Sequence, residues 1–166
     1  LATQQTRIDP RPTMTSVADV LSTLRDFHAV YAPAGDIPTL RTRLDVDLFN
    51  TLRAARFPAA PAIGLTPRCD DRGRLVETVR AHGSPGQTFV STTRPGITRG
   101  EHFHLRKIER FVVLAGRARI SLRRMLTDDV VRVDVDGRDP VAIDMPTMWA
   151  HNITNTGDQE LVTLFW

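Results

Sequence analysis

The chain is predicted to be all-β, a jelly-roll barrel with a short helical extension on its N-terminal side. Three observations predict it. From Ala62 onward, short alternating runs recur between turn signals: Asp70-Asp71-Arg72-Gly73, Ser84-Pro85-Gly86, Asp136-Gly137 and Thr156-Gly157. Helical spacing of apolar residues is confined to the part before that point. One stretch, Gly96 to Gly116, carries two histidines at a strand's spacing with an acid close behind. Many short strands with regular turns close into a sandwich or barrel, which covers the apolar face and most of the edges.

The elements follow in order. Residues 1–14 are polar and proline-bearing and are expected to be extended or loose. Thr15 or Ser16 can cap a helix, because a side-chain oxygen there accepts a free N–H of the first turn. Val17, Val20, Leu21, Leu24 and Phe27 then recur at helical spacing through about Tyr31, and Ala32-Pro33-Ala34-Gly35 stops the run. Ile37-Pro38 begins a connector. Leu44, Leu48 and Leu52 predict a second, shorter helix, and Phe57-Pro58-Ala59-Ala60-Pro61 a rigid linker. Strands are predicted over 62–66, 75–80, 87–93, 97–104, 109–115, 117–124, 129–135, 140–144, 149–153 and 160–166. No internal repeat is visible.

With 166 residues the chain can hold one domain with a real core plus an extension. Its apolar content of 41% suits a soluble globule, no apolar run reaches the length of a membrane span, and no signal peptide is visible. Cys69 is the only cysteine, which excludes an internal disulfide and fits the cytoplasm. It is expected to be a small buried residue. The net charge is +3, and every basic residue except Lys107 is an arginine. The arginines are scattered and aromatics make up only 6%, so neither nucleic acid nor a membrane is expected as a partner. Arginine does suit bidentate capture of phosphate. The chain starts without methionine and ends in the strand-like run Leu161-Val162-Thr163-Leu164-Phe165-Trp166, so it is expected to be a piece of a longer protein.

The chemistry gathers in Gly96 to Gly116. Side chains alternate faces along a strand, so His102 and His104 are expected to point the same way. A hairpin would bring Glu109 back beside them. Two neutral imidazoles and a carboxylate on one inward face form a ready ligand set for a divalent metal. His151, after the turn Pro146-Thr147-Met148-Trp149, can supply a fourth group.

The spacing is specific. Gly96, five residues, His102-x-His104, four residues, Glu109, six residues, Gly116 resembles the first motif of the cupin superfamily. Pro146, His151 and Asn155 resemble its second motif, with Met148 where that pattern has glycine. The resemblance implies a cupin jelly roll with His102, His104, Glu109 and His151 as metal ligands. Flanking residues narrow it. Asp71-Arg72-Gly73-Arg74-Leu75-Val76-Glu77 and Arg99-Gly100-Glu101-His102 resemble segments of the dTDP-sugar 3,5-epimerases. That likeness implies that Arg72 and Arg99 bind the nucleotide pyrophosphate, that Glu77 lies at the nucleotide end, and that His102 is the base. Arg94 is a weaker third arginine. Gly86-Gln87, Pro95-Gly96, His151-Asn152-Ile153-x-Asn155 and the terminal Phe165-Trp166 resemble the cupin half of bifunctional capsular-polysaccharide UDP-sugar enzymes. Those join an N-terminal short-chain reductase half to a zinc-containing cupin half.

On that resemblance, 1–60 is expected to be a helical linker, the tail of a missing reductase domain, and 61–166 the cupin domain. The implied activity is epimerisation at carbon 3 of a UDP-4-keto-6-deoxy (acetamido) sugar for capsule or surface polysaccharide. The implied cofactor is a divalent metal, zinc by family. No G-x-G-x-x-G is present, so NAD(P) is not expected on this chain. A cytoplasmic homodimer is expected. His102 cannot freely be both ligand and base, and ligand is favoured; Lys107, Glu101 and a metal-bound water then compete as base. The dTDP epimerases return a proton from a late tyrosine, but the only tyrosine here is Tyr31, and Phe165 or Trp166 holds the late position. Two other readings stand beside the enzyme: a non-catalytic, metal-stabilised binding or dimerisation module for a sugar-nucleotide reductase, and an iron oxygenase.

Overall fold

The structure is a computed structural model that describes residues 14–84 and 86–166. The expectation for the N-terminal segment up to Thr13, and the proline of the Ser84-Pro85-Gly86 turn, lie outside the described residues. The elements are helices α1 (Val17–Ala34) and α2 (Arg43–Arg56), followed by ten strands. These are β1 (Arg68–Asp70), β2 (Gly73–Arg80), β3 (Gln87–Thr93), β4 (Thr98–His102) and β5 (Glu109–Ala115). Then come β6 (Arg117–Arg124), β7 (Val130–Asp136), β8 (Ala142–Met145), β9 (Trp149–Asn155) and β10 (Leu161–Phe165). A six-stranded sheet in the order β1-β2-β3-β10-β5-β8 faces a four-stranded sheet in the order β4-β9-β6-β7, every strand pair antiparallel. This is the jelly roll that the strand pattern predicts.

The predicted helices form for the reasons expected, with shifts at their ends. Ser16 caps α1 by accepting from the Asp19 N–H, and Thr42 caps α2 in a reciprocal capping box with Asp45. α1 runs through Pro33 to Ala34, past the predicted stop. A last-turn proline costs only one bond, and Gly35 in the left-handed region closes the end by donating its N–H to the Tyr31 carbonyl. Phe27 and Phe49 are the buried residues of the pair, with Tyr31 edge-on to Phe49 at 5.2 Å. A parallel bridge between Ile37 and Ala81 and a 2.8 Å contact between Asp36 and His82 tie this unit to β2 and the loop after it.

Two sequence expectations fail in the connecting parts. The predicted strand 62–66 does not form, and β1, which was not predicted, takes the edge instead. Pro61 and Pro67 bracket that stretch and take away the donors at its two ends, and Gly64 at its middle brings no side chain to pack. Cys69 is exposed on that edge strand rather than buried.

The core lies between the sheets: Phe111 and Val113 of β5, Ala118, Ile120 and Leu122 of β6, with Val135, Met145, Ile153 and Leu161. Asn155 locks one end. Its amide donates to the carbonyls of Thr93 and Gln159 at 2.8 Å each, and its oxygen accepts from the Gly157 N–H. Among the described residues, no helix is long and apolar enough to cross a membrane.

The β8–β9 turn has the shape that its sequence disfavours. The Trp149 N–H reaches back to the Pro146 carbonyl at 3.3 Å, and Met148 adopts φ 64°, the left-handed conformation in which glycine is at ease. That conformation costs an L-residue roughly 1–2 kcal/mol, while glycine loses about 0.5–1 kcal/mol in chain entropy. The Met148 side chain is 41% exposed, so little burial is lost with it. Met148→Gly is expected to stabilise the chain by roughly 0.5–1 kcal/mol in denaturant unfolding. A lower midpoint would show that the methionine side chain contributes more than the strain costs.

Candidate metal centre

The strand rows aim the four predicted ligands at one end of the barrel. Along β5, Glu109, Phe111 and Val113 are buried in alternation, so the glutamate extends a core-facing apolar row. Along β9, His151, Ile153 and Asn155 do the same. His102 pairs with His151 across β4 and β9. The ligand atoms of His102, His104, Glu109 and His151 all lie within 4.8 Å of one another.

How they converge differs from the sequence reading in two ways. His104 is not on a strand with His102; β4 ends at His102, and His104 sits in the loop beyond, its carbonyl accepting from the Met148 N–H at 3.1 Å. Nor does a hairpin return Glu109, because β4 and β5 belong to different sheets and the segment 103–108 crosses between them. A bulge does the rest. Gly100 pairs with Asn152 and His102 with His151, so Glu101 is the extra residue, at φ 68°. Strict alternation from Arg99, which pairs with Ile153, would turn His102 outward. The bulge re-phases the strand and turns it in. Glu101 faces the other way, lining an outer groove with Arg123, Arg132 and Asn152. It is therefore placed away from the cavity that holds its rivals for the role of base.

The electrostatics fit a cation at the centre of the cluster. The Nδ1 of His151 donates to the Trp149 carbonyl at 3.2 Å, which leaves the Nε2 lone pair pointing inward. That Nε2 lies 3.0 Å from Oε2 of Glu109, yet it is buried without a hydrogen-bond partner. The His104 Nε2 lies 3.0 Å from the same oxygen. A lone pair and a carboxylate oxygen held this close in a dry site repel unless a proton or a cation stands between them. Lys107 pairs with the other oxygen, Oε1. Without a cation, burial raises the Glu109 pKa; a proton carried between the His151 ring nitrogen and the carboxylate, together with the Lys107 ammonium, overcomes burial and holds the carboxyl at about 2. His102 is exposed at its edge, but its pKa is lowered, first by desolvation and then by the neighbouring His151. A neutral His102 and an ionised Glu109 are the ligand forms that a divalent metal needs.

The cluster opens on a cavity of about 260 Å³ lined by His102, Lys107, Glu109, Arg99, Ser91 and Phe165, among others. Arg99 is the candidate arginine that reaches it. Its side chain is largely buried, one terminal nitrogen sits 3.2 Å from the Thr92 carbonyl, and its Nε has no partner. Desolvation, the largest influence on it, lowers its pKa. Arg72 stays outside, half-exposed and held on Asp70 at 2.5 Å and 2.9 Å. Arg94 is exposed and lines neither cavity discussed here. Glu77 faces an adjoining cavity of about 290 Å³ with Asp36, Arg68 and Arg80; its Oε2 accepts from Arg80 at 2.6 Å, while Oε1 is buried unpartnered. The two cavities share Leu75 and Phe89. Sequence reasoning missed Ser91, although a signal was there: Phe89-x-Ser91-x-Thr93 puts hydroxyls on an inward row.

Residues 68–166 match the family model for the polysaccharide biosynthesis C-terminal domain. Over 97 residues the chain is 36% identical to UDP-2-acetamido-2,6-beta-L-arabino-hexul-4-ose reductase of Pseudomonas aeruginosa, a match that covers 58% of this chain and 26% of that protein. Two solved structures share the whole architecture. One is CapF with the inhibitor 3-isopropenyl-tropolone, at TM-score 0.82 and 29% identity over 95% of this chain and 46% of that one. The other is the capsular polysaccharide assembling protein CapF of Staphylococcus aureus, at TM-score 0.76 and 30% identity over 90% and 39%. The chain thus spans about a quarter of the curated relative and less than half of either solved chain.

Loading the chain with a divalent metal at a hundred times its Kd is expected to raise stability by about 2.7 kcal/mol, read by melting before and after chelation. His151→Ala should lower metal affinity at least about 100-fold, measured by elemental analysis after dialysis against a graded chelator. Unchanged metal content in that variant would remove His151 from the ligand set.

Proposed function

The chain belongs to the polysaccharide biosynthesis C-terminal domain family, and from that premise we propose that it is the metal-bearing epimerase part of an enzyme that makes a nucleotide sugar for capsule or surface polysaccharide. The proposed reaction is inversion at carbon 3 of a UDP-4-keto-6-deoxy (acetamido) sugar. The observation that carries this reading is the meeting of His102, His104, Glu109 and His151 at a cavity that also receives Arg99 and Lys107. Likeness to CapF and to the Pseudomonas aeruginosa reductase supports it.

The chemistry asks for few parts. A hydrogen on carbon beside a carbonyl is weakly acidic. A base removes it, the electron pair moves onto the carbonyl oxygen, and a proton returned to the opposite face inverts the carbon. His102, His104, Glu109 and His151 would hold a divalent ion, zinc by the nitrogen-rich donor set, and such an ion supplies positive charge to a developing oxyanion. Arg99 takes a phosphate oxygen with its unpaired Nε, and Arg72 joins it by leaving Asp70. Arg94 would act from outside the cavities, as a long-range positive charge. Glu77 accepts a hydrogen bond at the nucleotide end. His102 serves as ligand rather than base. That leaves Lys107 on the cavity wall to carry the proton: it acts as base only as the free amine, so the ammonium that pairs with Glu109 must first give up its proton, and it returns one as the acid. Reduction of the ketone, with its NAD(P), belongs to a reductase half joined ahead of residue 60, and the assembly is a cytoplasmic homodimer.

Incubation of the metal-loaded chain with a UDP-4-keto-6-deoxy sugar in heavy water should place deuterium at carbon 3, and chelation should stop it. Lys107→Met should slow exchange about 100-fold or more while keeping its metal. No exchange by the loaded wild type would favour a metal-stabilised module without catalysis, and consumption of oxygen an oxygenase.

A further inference from the structure

The inner face of the six-stranded sheet carries hydroxyls that the barrel leaves unsatisfied. Ser91 and Thr93 of β3 and Thr163 of β10 are 1%, 1% and 0% exposed. None of their oxygens has a hydrogen-bond partner among the described residues. A buried hydroxyl without a partner costs free energy that valine, the same shape as threonine, would avoid. Three of them on two adjacent strands call for an occupant.

Their arrangement says what kind. Ser91 and Thr163 are direct cross-strand partners, and Leu75 and Val113 continue their row on either side. Such a pair can bond directly, as Thr98 and Thr154 do at 2.8 Å, but the Ser91 and Thr163 oxygens do not, and one bridging oxygen can span them. Ser91 also lines the cavity that holds His102, Lys107 and Glu109. The next row of the same sheet is aromatic: Phe89, Phe165 and Phe111. A row of hydroxyls beside a row of flat apolar rings matches a sugar ring, whose edge carries hydroxyls and whose faces carry C–H bonds.

We propose that Ser91 on the cavity wall, with Thr163 and Thr93 behind it, forms a hydroxyl subsite, filled by ordered water in the free protein and by a ring hydroxyl of the sugar in the complex. Only the second occupant rests on the nucleotide-sugar reading. The subsite fixes the sugar across from the imidazoles, so Ser91 sets specificity for a hydroxyl-bearing ring.

Two arms test it. A high-resolution crystal structure of the free chain should show water within hydrogen-bond reach of both oxygens, and Thr163→Val should lose it; a dry floor overturns the subsite. In calorimetry with UDP and with UDP-N-acetylglucosamine, Ser91→Ala should weaken the sugar nucleotide roughly three- to tenfold and leave UDP unchanged. Equal weakening of both, or of neither, overturns the sugar contact. If the wild type binds neither probe, the nucleotide-sugar reading and the sugar contact fall together, and the water arm still decides the subsite. Thr163→Val keeps side-chain shape and Ser91→Ala removes a single atom, and the melting point checks that each variant folds.

Discussion

The site depends on one close approach: a carboxylate oxygen held 3.0 Å from two imidazole nitrogens, hydrogen-bonded to that of His104 and leaving that of His151 without a partner. The two sheets create it. Glu109 belongs to the six-stranded sheet, His102 and His151 to the four-stranded one, and His104 to the crossing between them. The apolar core fixes the distance between the sheets, and backbone rows fix where each side chain points. Glu109 and His151 cannot retreat without breaking rows of buried neighbours such as Phe111 and Ile153. A divalent cation held by these four residues would make this approach a cross-link and tie the two sheets together at their open end.

Lys107 softens the arrangement without resolving it. Its ammonium neutralises one oxygen of Glu109 from the solvent side, leaving the other oxygen for the imidazoles. Glu109 therefore stays ionised at any working pH, and Lys107 stays at the cavity wall where a substrate would pass. Asp70 plays the matching part for the arginines. It grips Arg72 and lies 3.4 Å from Arg99, so a bound phosphate would compete with one carboxylate for two guanidinium groups.

Much of this was legible in the sequence. Alternation located β3, β5 and β6 to the residue, the caps at Ser16 and Thr42 follow from their side chains, and the spacing shared with the cupin motifs picked the four cluster residues. The illegible parts are backbone irregularities. No pattern in Arg99-Gly100-Glu101-His102 announces that Glu101 is bulged, yet without the bulge His102 faces outward. The crossing after His104 looked like a hairpin because spacing along the chain cannot tell which sheet the next strand joins. β1 was missed for a like reason: as an edge strand exposed throughout, it carries no alternation.

Local rules fail most often around the cavity. Glu101 and Met148 hold left-handed backbone that suits glycine; one sets the phase of His102, and the other bonds the His104 carbonyl. The His151 Nε2, the Arg99 Nε and the hydroxyls of Ser91 and Thr163 are buried without partners in and beside the same space. By contrast Asn155, at the other end of β9, satisfies every polar atom of its amide. Sequences that fold well are consistent from propensity to packing, and they depart from consistency where something other than folding is selected. Here both the strained backbone and the unpaired polar atoms favour the cation-binding end over the Asn155 end. A metal answers the nitrogen and the carboxylate, an anion the guanidinium, and a hydroxyl or water the floor. One ligand that carries phosphate and sugar, bound beside one metal, would satisfy all of them together.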